Sequence, residues 1–173
     1  MKSHHWINRP LSLFIAALIT LSFSQLSHAN EIKPGDNKPM PNIRWQDSDE
    51  KTHQLKDSDG QPRILHFWAA WCFPCRKELP YMLEWIQKNS DVLVIPLSLD
   101  ERMAQSKYFI KKYNLDMQPL LINEDDSDAL NIPALPYSIF VTADGSYSGY
   151  FYGPAPWEDD KFLDQVRAHF KLD

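Results

Sequence analysis

Residues 63–80 read RILHFWAAWCFPCRKELP, and they join an apolar run to two cysteines and then to the start of an amphipathic segment. The run from Arg63 to Ala69 is short, β-branched and aromatic, which predicts a buried strand. The segment from Cys75 to Lys88 has apolar residues at three- and four-residue spacing, which predicts a helix. Cys72 and Cys75 therefore lie at a strand-to-helix junction, with two residues between them.

The rest of the chain alternates further strands and helices. Val92–Leu99 is a second apolar run, and with the first strand and the helix it predicts a parallel βαβ unit. Asp100 is expected to cap a helix over residues 101–113. The other predicted elements are a strand at 120–122, an acidic loop at 124–128, a hairpin formed by 138–142 and 146–152, and a final helix over 159–170. This order predicts an α/β domain with a mixed central sheet flanked by helices.

The first 29 residues have the pattern of a secretory signal peptide. Lys2 and Arg9 precede an apolar run over residues 11–23, and Ser-His-Ala at 27–29 places small residues at a cleavage position. The apolar run is shorter than the roughly 20 residues that a membrane-spanning helix needs. We therefore expect cleavage after residue 29, a mature domain over residues 30–173 and no stable membrane insertion. An uncleaved N-terminal anchor is the alternative.

The charge of the chain argues against nucleic acid as a partner. The formal net charge is −5, and removing residues 1–29 takes away Lys2 and Arg9 but no carboxylate, which leaves −7. The sequence also contains no basic run outside this segment. An acidic domain of this kind lacks the electrostatic footprint of a nucleic-acid-binding protein.

The two cysteines carry the chemistry that the sequence predicts. A chain with only two cysteines cannot supply four thiolates for a structural zinc or iron–sulfur site. The start of the helix favours the thiolate of Cys72, whereas Cys75 lies further inside, so Cys72 would attack a disulfide and Cys75 would resolve the mixed disulfide. A metal site would need more ligands, and the three histidines of the mature domain lack paired zinc spacing. A purely structural disulfide is the other alternative, although so short a loop stabilises little.

The segment from Phe67 to Pro80 resembles the active-site segment of the thioredoxin superfamily, most closely that of its exported TlpA/ResA/CcmG(DsbE)-like branch. The likeness rests on the tryptophan-flanked CxPC motif, on Pro80 eight residues after Cys72, and on Glu78. It continues through residues 132–141, which are similar to the family segment that bears a cis-proline, and it covers about residues 36–170. The resemblance implies a thioredoxin fold and a dithiol/disulfide oxidoreductase.

The resemblance also implies roles for single residues. Cys72 would be the nucleophile, Cys75 the resolving thiol, and Glu78 a group that tunes the cysteines or acts as a general base for Cys75. Without the resemblance, Glu78 would be read as an exposed residue on the polar face of the helix. Pro136 would be cis and lie opposite the cysteines, where the backbone of Leu135 can pair with a bound substrate. The substrate-binding residues are then Trp71, Phe73, Pro74, Leu135 and Pro136.

His66 lies six residues before Cys72, on the predicted strand beneath the active site. Cytosolic thioredoxins carry a buried Asp at this position, and the exported branch varies. A lone histidine in an apolar strand is usually a satisfied core residue. The alternative is a proton relay in which His66 accepts a proton from Cys75. Phe73 and Leu135 also differ from the residues common in the family, and both lie where partners dock.

The resulting hypothesis is a periplasmic thiol–disulfide oxidoreductase of the TlpA type that reduces disulfides of exported proteins. It would use no metal and no cofactor other than the redox-active Cys72–Cys75 disulfide. A membrane electron donor is expected to keep it reduced, and cytochrome c maturation or metal-centre assembly is the process in which it would act. The alternatives are a disulfide oxidant and a non-catalytic binding module, for instance one that delivers Cu(I) held between the two cysteines.

Overall fold

The computed structural model describes residues 31–172, so the predicted signal peptide lies outside the described residues. The strands are β1 (Lys33–Pro34), β2 (Arg44–Gln46), β3 (Thr52–Gln54), β4 (Arg63–Trp68), β5 (Leu93–Ser98), β6 (Leu120–Ile122), β7 (Tyr137–Val141) and β8 (Tyr147–Tyr152). The helices are α1 (Phe73–Lys88), α2 (Met103–Lys112), α3 (Glu124–Leu130) and α4 (Asp160–Phe170), and a 3-10 turn spans Leu55–Ser58. None of the described helices has the length and apolar character needed to cross a membrane.

The described strands form one mixed sheet in the order β1-β8-β7-β4-β5-β6-β2-β3. Strand β4 runs parallel to β5, with Arg63 opposite Leu93, and antiparallel to β7, with Phe67 opposite Tyr137. Strands β5 and β6 are also parallel. The predicted βαβ pairing and the mixed central sheet flanked by helices are therefore confirmed.

Two hydrophobic cores lie on opposite faces of the sheet, and β4 contributes to both. Ile64 and Trp68 pack in the core that contains both cysteines, whereas Leu65 and Phe67 pack in the other core. This division follows from the alternation of side chains along a strand. His66 has the same parity as Ile64 and Trp68, so its side chain points to the face that carries α1 and the cysteines.

Three sequence predictions about the helices need correction. Helix α1 begins at Phe73, two residues earlier than predicted. The acidic segment predicted as a loop forms α3, because Asn123 caps it and the acidic residues of its first turn interact favourably with the helix dipole. Asp100 does not cap α2, which begins after Arg102. The Asp100 carboxylate instead accepts a hydrogen bond from the backbone N–H of Ala70.

The C-terminal helix α4 contacts the sheet through His169. The Nε2 atom of His169 lies 2.8 Å from Ser148 Oγ, and its ring packs edge-on against Phe140. A Cβ atom at Gly149 would lie only 2.8 Å from His169 Cε1, so a glycine is needed for this close approach. Burial lowers the pKa of His169, which favours the neutral imidazole in the folded protein.

The lowered pKa of His169 predicts that the fold loses stability at acidic pH. An unfolded histidine has a pKa of about 6.5, so the unfolded chain binds this proton before the folded chain does as the pH falls. The free energy of unfolding should therefore decrease below that pH. Denaturant titrations at about pH 7.5 and about pH 5.5 measure the decrease. It should be smaller in His169→Gln, which retains a polar group near Ser148, and an equal decrease in both proteins would contradict the prediction.

Candidate active site

Cys72 and Cys75 form a disulfide at the N-terminus of α1. Cys72 is the N-cap residue, and its Sγ accepts a hydrogen bond from the backbone N–H of Cys75 at 3.3 Å. Pro74 lies in the first turn, where its missing N–H would have no helical partner. Cys75 is fully buried, whereas Cys72 keeps 4% of its surface exposed. A partner can therefore reach Cys72 more readily than Cys75, and the helix dipole favours the thiolate at Cys72 after reduction.

Two large aromatic side chains beside Cys72 are exposed. Trp71 is 66% exposed and Phe73 is 59% exposed. The Nζ atom of Lys77 lies 4.6 Å from the centroid of the Phe73 ring, and the guanidinium of Arg76 lies 5.6 Å from it. Exposed aromatic surface of this kind is typical of a site that contacts another molecule.

The predicted cis-proline segment lies next to the active-site loop. The Leu135–Pro136 peptide bond is cis, which confirms the prediction for Pro136. Tyr137 pairs with Phe67 near the end of β4. Leu135 and Pro136 therefore lie at the end of the strands where the active-site loop begins. Leu135 is half-buried and packs against the core that contains both cysteines.

Glu78 lies one helical turn after Cys75, on the same face of α1. It is only 5% exposed, so the interpretation of Glu78 as an exposed residue on the polar face is wrong. Its Oε2 atom accepts a hydrogen bond from the backbone N–H of Ala155 at 2.6 Å. Its Oε1 atom lies 3.3 Å from His66 Nε2, which is close enough for an ion pair but lacks the alignment of a hydrogen bond.

His66 is fully buried between the sheet and α1. Its Nδ1 atom lies 3.0 Å from Ser138 Oγ on β7, and the Trp157 ring packs edge-on against it. The packing is that of a core residue, while the short distance to Glu78 creates a buried imidazole–carboxylate pair in the core that contains Cys75. The surroundings of His66 therefore agree with both alternatives that the sequence left open, a satisfied core residue and a proton relay.

A groove of about 690 Å³ opens beside the disulfide. Phe73, Pro74 and Tyr81 form its α1 side, the loop 154–156 forms the opposite side, and Glu78 also lines it. Of the predicted substrate-binding residues, the groove brings together Phe73 and Pro74, whereas Trp71, Leu135 and Pro136 do not line it. Tyr81 and the loop 154–156 were not predicted as site residues from the sequence, where they lay only within the broad range of the family resemblance, about residues 36–170.

Comparisons with known proteins agree with this geometry. Residues 37–145 match the model of the AhpC/TSA family. The chain is 32% identical over 150 residues to the thiol-disulfide oxidoreductase ResA of Bacillus cereus, which covers 84% of this chain and 86% of that protein.

Solved structures of other proteins have the same fold. A thioredoxin domain of a thiol-disulfide oxidoreductase from Bacteroides vulgatus is 23% identical, with a TM-score of 0.65 over 79% of this chain and 98% of that one. A putative thiol:disulfide interchange protein DsbE from Chlorobium tepidum is 19% identical, with a TM-score of 0.69 over the same shares of the two chains. The predicted thioredoxin fold is therefore confirmed, and the chain belongs to the AhpC/TSA family and is a thiol–disulfide oxidoreductase similar to ResA.

Proposed function

We propose that this protein is a periplasmic reductase that transfers electrons from Cys72 and Cys75 to disulfides of other exported proteins. The observation that carries the proposal is the asymmetry of the pair. Cys72 caps the helix and keeps some exposure, whereas Cys75 is fully buried in the core that also holds Glu78 and His66. The export pattern of residues 1–29 supports the location.

The reaction begins with both cysteines reduced. The Cys72 thiolate attacks one sulfur of the substrate disulfide, which forms a mixed disulfide and releases the other substrate sulfur as a thiolate. Cys75 then loses its proton and attacks Cys72 Sγ. The Cys72–Cys75 disulfide forms, and the second substrate thiolate leaves. Two electrons pass to the substrate, and the two departing thiolates take up protons.

Glu78, one helical turn after Cys75, is the group that we assign as acceptor of the Cys75 proton in the second step. Because Cys75 is fully buried, its proton cannot pass directly to bulk water. The Oε2 atom of Glu78 is held by the N–H of Ala155, while Oε1 has no aligned hydrogen bond and is available as an acceptor. His66 lies 3.3 Å beyond and continues the relay, with Ser138 orienting its ring.

The substrate binds across the face that surrounds Cys72. Trp71, Phe73 and Pro74 contribute apolar surface beside the disulfide, and the cis-proline segment contributes backbone. An extended substrate segment pairs with the backbone of Leu135 next to Pro136, in the manner of an added strand. This binding mode places a substrate disulfide over Cys72.

The partners are disulfides and thiols of exported proteins, together with a membrane electron donor that restores the dithiol. Cytochrome c maturation or metal-centre assembly is the process that we propose, because both require reduced cysteines in exported proteins. The similarity to ResA, whose name describes a thiol–disulfide oxidoreductase, supports thiols and disulfides as the reacting groups of the substrate.

The asymmetry of the pair predicts different defects for the two cysteine variants. Cys72→Ser should reduce insulin at the background rate of dithiothreitol, because the attacking thiol is gone and the remaining thiol of Cys75 is fully buried. Cys75→Ser should lose turnover but form a stable mixed disulfide with the substrate, because nothing resolves it. Insulin turbidity and non-reducing electrophoresis measure the two effects. Equal insulin reduction by wild type and Cys75→Ser would instead favour a binding module over a reductase.

The proton relay predicts that Glu78→Gln slows the resolution step about 10²-fold or more, the usual size of general acid–base catalysis. The amide oxygen can still accept from Ala155, so the loop should keep its position. His66→Ala should change the pH–rate profile of the same step. Single-turnover kinetics with a peptide disulfide measure both. Glu84→Gln removes an exposed carboxylate of the same helix and serves as the control. A pH–rate profile unchanged in His66→Ala would exclude the relay role of His66.

A reductase is expected to have a reduction potential near the thioredoxin value of about −270 mV, far from about −120 mV for the strong oxidant DsbA. Equilibration with glutathione or dithiothreitol buffers, followed by thiol quantification, measures the potential. A value near that of DsbA would establish the oxidant alternative.

A further inference from the structure

Asp100 is a buried carboxylate beside the active-site loop, and the reaction described above does not use it. It follows β5 and is 5% exposed. Its Oδ1 atom accepts a hydrogen bond from the backbone N–H of Ala70 at 3.0 Å. Its Oδ2 atom accepts hydrogen bonds from the hydroxyls of Ser98 at 2.9 Å and Ser106 at 2.7 Å. Ala70 belongs to the loop between β4 and the disulfide, so Asp100 joins this loop to β5 and α2.

All of these donors are neutral. Among residues 31–172, none of the ion pairs includes Asp100. Three donors are directed at the two oxygens, and a carboxylate in its charged form only accepts hydrogen bonds. A buried anion without a cation keeps most of its field, since water and salt screen it poorly. Asp100 is therefore a source of negative potential inside the domain.

This negative charge lies close to the reactive cysteine. Ala70 is two residues before Cys72, and an extended chain spans at most about 3.6 Å per residue. The carboxylate therefore lies within about 10 Å of the Cys72 backbone, and both residues are buried. The other charged or titratable side chains of this region are Glu78 and His66 in the core, Arg76 and Lys77 against Phe73, and the exposed Glu101 and Arg102 that follow Asp100 in the chain.

We propose that Asp100 is a positioning residue that holds the active-site loop through Ala70 and makes the Cys72–Cys75 dithiol more reducing. A negative charge at this distance disfavours the Cys72 thiolate and so opposes the helix dipole. A less favourable thiolate destabilises the reduced protein relative to the disulfide, which strengthens it as an electron donor. The inference rests on the proposed role of Cys72 as the attacking thiol and adds a residue that controls its strength.

The variant Asp100→Asn tests the inference because it removes the charge and keeps an acceptor oxygen for Ala70. The backbone bond from Leu99 N–H to the Trp68 carbonyl also remains, so the loop stays attached to β5. The pH midpoint of Cys72 alkylation by iodoacetamide should move to lower pH. The equilibrium with glutathione should move roughly tenfold toward the dithiol, which is about 30 mV less negative.

Two further measurements separate charge from structure. Glu101→Gln removes the neighbouring exposed carboxylate and should change the equilibrium less than about twofold, because solvent screens that charge. Loosening of the loop alone would speed alkylation at every pH without moving its midpoint. An unchanged midpoint in a folded Asp100→Asn protein would therefore overturn the inference.

A second variant covers the case in which Asp100→Asn does not fold. Ser106→Ala keeps the charge and removes one hydroxyl that offsets it, so the alkylation midpoint should move to higher pH. A midpoint that is unchanged or moves to lower pH would overturn the inference. Alkylation does not require turnover, so these results stand apart from insulin reduction. A wild-type protein that fails to reduce insulin would contradict the proposed function, while the midpoints would still test Asp100.

Discussion

The burial of β4 on both faces of the sheet is the constraint on which the active site depends. All six of its residues are buried, and it pairs with β5 on one side and β7 on the other. This pairing determines where the active-site loop begins and brings the cis-proline that precedes β7 to the same end of the strands. The same alternation of side chains places His66 on the face of α1. The position of the single strand β4 thus determines where the disulfide, the cis-proline and His66 lie.

A fully apolar core around the cysteines would avoid the desolvation free energy that the buried polar side chains cost on folding. Burying Glu78, His66 and Asp100 costs desolvation free energy that hydrogen bonds only partly offset. Glu78 and Asp100 lie near different thiols. Glu78 is one helical turn from Cys75, whereas Asp100 accepts a hydrogen bond from the loop that precedes Cys72. The burial of these groups at a desolvation cost supports the roles that we propose for Glu78 and Asp100 at the two thiols.

Local sequence pattern was sufficient for the elements with long apolar runs, namely β4, β5 and α1, and for the hairpin of β7 and β8. It was insufficient for β1 and β3, which have two and three residues. Strand β1 forms by pairing with the distant strand β8, and β3 pairs only with the short strand β2. Glu78 could not be recognised as buried, because its partner Ala155 is 77 residues away. Asp100 looked like a helix cap for the same reason, since its contact with Ala70 spans 30 residues. Tertiary contacts decided these positions against a reasonable local interpretation.

Two opposing electrostatic effects act on Cys72, and their balance bears on the direction of electron flow. The N-terminus of α1 stabilises the thiolate, and a protein with this effect alone would hold its reduced form tightly and act as an oxidant. A buried carboxylate without a cation weakens that stabilisation at the same sulfur. Arg76 and Lys77 lie against the exposed Phe73 ring, where solvent screens their charge. In our proposal the buried anion has the larger influence per charge, and this adds an electrostatic argument to the cysteine asymmetry on which the proposed reductase rests.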